Sequence, residues 1–257
     1  MAGDSLESLA LYAAVAVAGV LAGFINSMAG GGSLLTLPIL MLLGLPATVA
    51  NGTNRLAVLC QAVAGVLAYR RHGRLPRRGV APTVLPTAFG AAIGASLAAY
   101  IPEWLLKYIL IAIMIAMAVL MVARPQLMAA PESDEPLSRR RRWAASLSML
   151  AVGIYGGFVQ AGVGILLLAV LTGISRYDLL RANALKLMCT ALFGTVALAI
   201  FAAAGQVEWL AGAVLALFSI FGALVGVRFA VRAGHTTIRW IVLACVVATC
   251  IAALVRA

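Results

Sequence analysis

Two cations lie inside long apolar sequence with no acidic residue beside them. Arg55 ends the stretch Ala50-Asn51-Gly52-Thr53-Asn54-Arg55, and Lys186 ends Ala182-Asn183-Ala184-Leu185-Lys186. The acidic residues Asp4, Glu7, Glu103, Glu132, Asp134, Glu135, Asp178 and Glu208 all fall in tails or in gaps between apolar runs. An ionisable residue about one turn inside an apolar helix is costly unless something pairs with it, and it marks a functional site by default. Either cation alone could instead extend its stem to the interface. Their placement at the same point of two similar stretches favours binding.

Ahead of each cation the chain breaks. The first break is Gly23-Phe24-Ile25-Asn26-Ser27-Met28-Ala29-Gly30-Gly31-Gly32-Ser33, and a looser copy is Gly157-Phe158-Val159-Gln160-Ala161-Gly162-Val163-Gly164. Backbone that leaves the helix at membrane depth must be buried in protein or line a cavity. The free N–H groups of a helix start favour negative charge. The chemistry this points to is anion binding. Backbone around Gly30, Gly31, Gly32 and Ser33 and around Gly162 and Gly164, with the side chains of Asn26, Ser27, Gln160, Asn51, Thr53, Asn54 and Asn183, would hydrogen-bond an oxyanion. Arg55 and Lys186 would supply the charge. Asn26 and Gln160 become equivalent if the first break carries Met28 and Ala29 as two extra residues, and their amides could equally satisfy carbonyls of the broken helices.

Catalysis has no such constellation. Ser27 and Ser33 have no intramembrane His or Asp to activate them. His72 and His235 stand in gaps without a metal-binding interval, and Cys60, Cys189, Cys245 and Cys250 read as packing residues in apolar runs. A non-enzyme without cofactor or metal site is expected.

The elements that must position these groups are helices. The chain has 257 residues, 64% of them hydrophobic and 11% charged, which is too apolar for a soluble domain. Apolar runs of about 20 residues recur, the length that crosses a bilayer as helix and twice that of a barrel strand. The expected fold is all-α and polytopic. Segments fall at residues 9–27, 33–45, 52–69, 79–100 and 104–123, then at 143–161, 163–174, 182–204, 209–231 and 238–255. The second member of each set is too short to cross by itself. Each half therefore holds three full spans plus a broken or short helix pair, eight to ten membrane segments in total. Asp4 and Glu7 precede the first segment in place of a basic region, so it reads as a retained span and not a signal peptide.

A constant offset of 132 pairs Gly30 with Gly162, Gly32 with Gly164, Asn51 with Asn183, Asn54 with Lys186, Gly73 with Gly205, Gly90 with Gly222 and Gly94 with Gly226. An ungapped register this long argues for duplication. The net charge of +11 lies mostly in the gaps, where it reads as topology and not as a nucleic-acid patch. Arg70, Arg71, Arg74, Arg77 and Arg78 crowd the gap around Gly73, whereas the equivalent gap around Gly205 has no basic residue. Equivalent loops then lie on opposite sides, and the repeats are inverted. Residues 1–123 form the first repeat, 124–142 a cytoplasmic linker containing Arg139 to Arg142, and 143–257 the second repeat, with both termini outward. For Gly90, Gly94, Gly222 and Gly226, close helix packing is the favoured role.

Taken together, the Gly-Phe-Ile-Asn-Ser-Met-Ala-Gly-Gly-Gly-Ser opening, the short segment ending at Pro38, Leu-Gly-Leu-Pro at 43–46, the Asn51 to Arg55 stretch and Arg-His-Gly-Arg at 71–74 resemble the TauE/SafE sulfite exporter family. So do Arg181-Ala182-Asn183-Ala184-Leu185-Lys186 and Gly205-Gln206-Val207 in the second half. The resemblance implies a multi-pass permease of the bacterial inner membrane that moves sulfur-containing anions such as sulfite or small organosulfonates. The expected mechanism is export by alternating access; the alternatives are an anion channel, or an ion-coupled importer of organosulfonates or carboxylates. The expected partners are a small anion and membrane lipid, with no nucleic acid and with room for a homodimer.

Overall fold

A computed structural model describes residues 2–28, 30–73, 75, 80–123 and 138–232. Among them there is helix and no strand. In the first half α1 (Ala2–Met28) and α2 (Ser33–Leu42) flank the first break, followed by α3 (Ala47–Arg71), α4 (Ala81–Tyr100) and α5 (Glu103–Ala123). In the second, α6 (Arg139–Phe158) and α7 (Val163–Ala169) flank the other break, followed by α8 (Leu179–Ala203) and α9 (Trp209–Arg232). A π-helical turn, Val170–Ile174, continues α7. The last expected segment, 238–255, lies outside the described residues, as do 124–137 of the linker.

Local chemistry sets most of the boundaries. α2 has 10 residues and so rises about 15 Å, half the hydrocarbon thickness of a bilayer. Pro46, extended at ψ 151°, starts α3, and the Asp178 carboxylate accepts the Arg181 N–H at 2.9 Å to start α8. Both helices therefore begin earlier than the expected 52 and 182. Asn51 and Asn183 are consequently inside their helices and not at free helix starts, which corrects the reading of these positions as helix N-termini. α6 begins at Arg139 with Ser138 as its cap, so the arginine run forms the first helical turn and not the end of a linker. Four arginines are unfavourable against the positive end of a helix dipole, so helix stability does not account for their position.

The halves interleave. α1 packs on α9, α4 on α6, α3 on both α8 and α9, and α4 on α8, so the major contacts all join one half to the other. Exchanging α1 with α6, α3 with α8 and α4 with α9 returns the same set of pairs. The closest approaches are at glycines, as expected for small residues between membrane helices. A Cβ added to Gly94 would sit 1.9 Å from the Ile154 carbonyl oxygen, and one added to Gly222 would sit 2.0 Å from that of Val20.

Polarity is distributed as membrane solvent demands. α4, α8 and α9 are long and apolar enough to cross a bilayer. α4 turns Leu85, Phe89, Ile93 and Leu97 outward, one per turn, while Asn51, Asn54, Arg55, Asn183 and Lys186 are buried at the centre. A stripe of that kind suits lipid and would be a liability in water.

Candidate substrate site between two broken helices

At each break a helix ends inside the protein, leaving terminal carbonyls without intrahelical partners. The two expected binding cations go there. Arg55, fully buried on α3, donates to the carbonyls of Gly156, Gly157 (2.8 Å) and Phe158 (3.3 Å) at the end of α6, and to Asn51 Oδ1 at 3.2 Å. Asn51 Nδ2 donates to the same Phe158 carbonyl at 2.9 Å, and the guanidinium lies 5.2 Å from the Phe201 ring centroid. Lys186 on α8 donates through Nζ to the Asn26 carbonyl at the end of α1 and to Asn183 Oδ1, each at 2.7 Å. A cation from the third helix of each half thus caps the broken first helix of the other half. The negative end of the helix dipole favours this placement.

The tyrosines near the breaks complete the accounting. Tyr69 Oη donates to the Ser27 carbonyl at 3.4 Å, and Tyr155 Oη donates to that of Ala161. Ser27 Oγ donates to the Phe24 carbonyl at 2.8 Å, so its hydroxyl serves its own helix. Sequence reading missed both tyrosines, because their partners are backbone atoms with no side-chain signature.

The breaks touch each other. Gly30, at φ +87°, lies against Gly164 so tightly that a Cβ on Gly30 would sit 2.3 Å from the Gly164 Cα, and the converse distance is also 2.3 Å. Gln160 is held at φ +66°, which is unusual for a residue with a side chain. Its amide is 1% exposed, and neither Oε1 nor Nε2 has a partner.

Beside this contact lies a cavity of about 10 Å³, roughly the room needed by one water. Asn26, Ser33, Gln160, Gly164 and Lys186 line it, so five of the residues expected to bind substrate come together from both halves. Val58, Val163, Leu187 and Thr190 complete the wall. Thr190 could have been found from its place one turn beyond Lys186 on the same helical face. No side chain caps α2 at Gly32.

The other expected residues stand outside the cavity wall. Arg55 and Asn51 serve the end of α6; Thr53 Oγ1 accepts the Glu208 N–H at 2.8 Å; Asn54 Oδ1 accepts the Thr36 hydroxyl at 2.6 Å. Asn183 holds Lys186, with its own Nδ2 unpartnered. Gly31 and Gly32 are buried in the first break and Gly162, at φ +70°, in the second.

Comparison with known proteins agrees with this architecture. A model of the sulfite exporter TauE/SafE family matches residues 15–253. Over 89% of this chain, a probable membrane transporter protein of Haemophilus influenzae is 29% identical, with 89% of the relative covered, and the probable membrane transporter protein ORF9 of Sinorhizobium sp is 30% identical, with 87% covered. The probable membrane transporter protein YfcA of Escherichia coli K12 is 27% identical over 86% of this chain and 81% of its own. No solved structure matches. With buried cations, outward apolar helices and a family match over nearly its whole length, the chain belongs to the sulfite exporter TauE/SafE family of multi-pass membrane transporters.

Proposed function

We propose that this protein is a secondary transporter of the cell inner membrane that exports sulfite or small organosulfonates by alternating access, with both termini outward. One observation carries the reading: a buried cation, Lys186, shares a small cavity with Asn26, Gln160 and Ser33, between two broken helices. An oxyanion there would meet the ammonium, the amide donors and the start of α2, the groups that recognise such ligands. In a volume of about 10 Å³ it would need the helices on either side to part, and an occluded state between two open ones is what alternating access requires.

The interleaved packing supports the mechanism. α1 with α9 and α4 with α6 form two tightly packed pairs, and α3 and α8 cross between them. Two such pairs, each built from both inverted halves, that rock about this centre would open the cavity first to one side and then to the other. Export needs no coupling ion, because an anion leaving a cell that is negative inside gains about 2.3 kcal/mol per charge per 100 mV.

The test is flux in proteoliposomes loaded with sulfite or small sulfonates. The protein should carry these anions down an imposed potential, and Lys186→Gln should remove at least about nine-tenths of the rate, the loss of one charge-assisted hydrogen bond. Wild-type flux in that variant would refute the site. Single-channel currents would replace the transporter with a channel.

A further inference from the structure

Resting on that site, we infer that its ligand is a monovalent anion carrying one hydrogen-bond donor of its own, the hydrogensulfite form of sulfite being the simplest, and that dianions are turned away. The charge follows from what faces the cavity. α1 offers Asn26, α2 Ser33, α3 Val58, α7 Val163 and Gly164, and α8 Lys186, Leu187 and Thr190. Lys186 is the one titratable or charged side chain on that wall among the described residues. Arg55, the other buried cation of the site's surroundings, has its two terminal nitrogens on the end of α6 and does not line the cavity. Two of the three Lys186 N–H bonds are engaged by Asn26 and Asn183, which leaves one for a ligand. One ammonium balances one negative charge. A second would enter a buried site uncompensated, where the cost is severe.

The donor follows from Gln160. Its Nε2 can give hydrogen bonds to an oxyanion, but Oε1 can only accept. Both atoms are buried and unpartnered beside the cavity, so a ligand made only of acceptors would leave Oε1 unsatisfied. An O–H on the ligand satisfies it. Of the wall's own hydroxyls, Thr190 donates to the Lys186 carbonyl and Ser33 makes no hydrogen bond to Oε1, while Tyr69 and Tyr155 at the breaks are turned to backbone carbonyls and do not line the wall.

Sulfite tests both halves of the inference, because near neutral pH it interconverts between a hydrogen-bearing monoanion and a bare dianion. Methanesulfonate is a fixed monoanion without a donor, and sulfate a fixed dianion. In competition against sulfite flux in proteoliposomes, methanesulfonate should compete, and sulfate at least tenfold less well. Raising the pH from mildly acidic to mildly alkaline should weaken apparent sulfite affinity in step with the loss of hydrogensulfite, while methanesulfonate affinity stays constant. Gln160→Met should abolish the preference for hydrogensulfite over methanesulfonate, and Gln160→Asn, which keeps an amide and suits the left-handed backbone, should retain it. Sulfate competing as well as methanesulfonate would overturn the charge limit. A parallel fall for methanesulfonate would assign the pH effect to Lys186 and overturn the donor. Absence of flux for all three anions would instead remove the site reading itself.

Discussion

The end of α1 and the end of α6 pose the same problem, terminal carbonyls buried in a membrane protein, and are closed by different side chains. At α6 a guanidinium reaches three successive carbonyls and an asparagine amide reinforces the last. At α1 an ammonium reaches one carbonyl, with a tyrosine and a serine on its neighbours. Arginine presents its donors in a rigid fork, whereas lysine is a compact charge with three rotatable N–H bonds. The fork's two terminal nitrogens are engaged at the helix end, its Nε–H alone lacking a partner, whereas the ammonium keeps an N–H toward the cavity. Two cations that look equivalent in sequence therefore divide the work, Arg55 holding the architecture and Lys186 facing the cavity.

The sharpest way to break that comparison is to remove the fork. Arg55→Met keeps much of the stem but orphans the Gly156 and Gly157 carbonyls, the Asn51 amide still serving that of Phe158, and should destabilise the protein by about 2–6 kcal/mol, the cost of two unsatisfied buried acceptors. Thermal unfolding in detergent measures this directly. Arg55→Lys should recover only part of the loss, because a point charge cannot span three carbonyls. If Arg55→Met unfolded like wild type while losing flux, the division of labour would be reversed.

Next in size is the contact between the breaks. Gly164→Ala places a methyl 2.3 Å from the Gly30 Cα, so one backbone must move, at a cost of about 2–4 kcal/mol. Gly44→Ala is the control: φ is +89° but nothing lies within 4 Å, and strain alone should cost about 1 kcal/mol. Equal effects at the two sites would mean that backbone conformation, and not the approach of the halves, fixes the glycine pattern.

Replacing the ammonium should weigh less on the fold than removing the fork. Lys186→Gln leaves an amide within reach of the α1 end and should cost about 1–3 kcal/mol of stability, the value of one hydrogen bond to a charged group. Its flux should fall out of proportion to that. The ratio of flux loss to stability loss, larger at Lys186 than at Arg55, is the measurable form of the comparison.

The sequence exposed this site unevenly, for physical reasons. Glycine runs and short apolar segments betray broken helices, since a helix of about ten residues cannot cross a bilayer, and α2 and α7 with its π turn occupy 33–42 and 163–174 accordingly. Burial of Arg55 and Lys186 was legible because ions in apolar sequence are conspicuous. Their partners were not, being backbone carbonyls 101 and 160 residues away. The starts of α3 and α8 were placed too late because Pro46 and Asp178 act as caps a full turn ahead of the polar residues that drew attention. The crossing of the halves, in which the first helix of each packs on the fourth helix of the other, has no local signal beyond the paired glycines.

The smallest expected effect comes from the one hydroxyl on the cavity wall that belongs to the Lys186 face. Thr190 Oγ1 donates to the Lys186 carbonyl at 2.9 Å, one turn back along α8, so its proton is already engaged and only lone pairs remain toward the cavity. Lone pairs give the anion's acceptor oxygens nothing to bind, and its one donor is taken by Gln160 Oε1. Thr190→Val has nearly the same shape and removes only the back-bond, so sulfite affinity in the flux assay should change by less than about fivefold, under 1 kcal/mol. A collapse of flux in Thr190→Val would show that the hydroxyl turns to the substrate when the cavity opens. The second half would then supply a donor beyond Lys186 and Gln160, and the inequality between the two halves would be greater than the closed state displays.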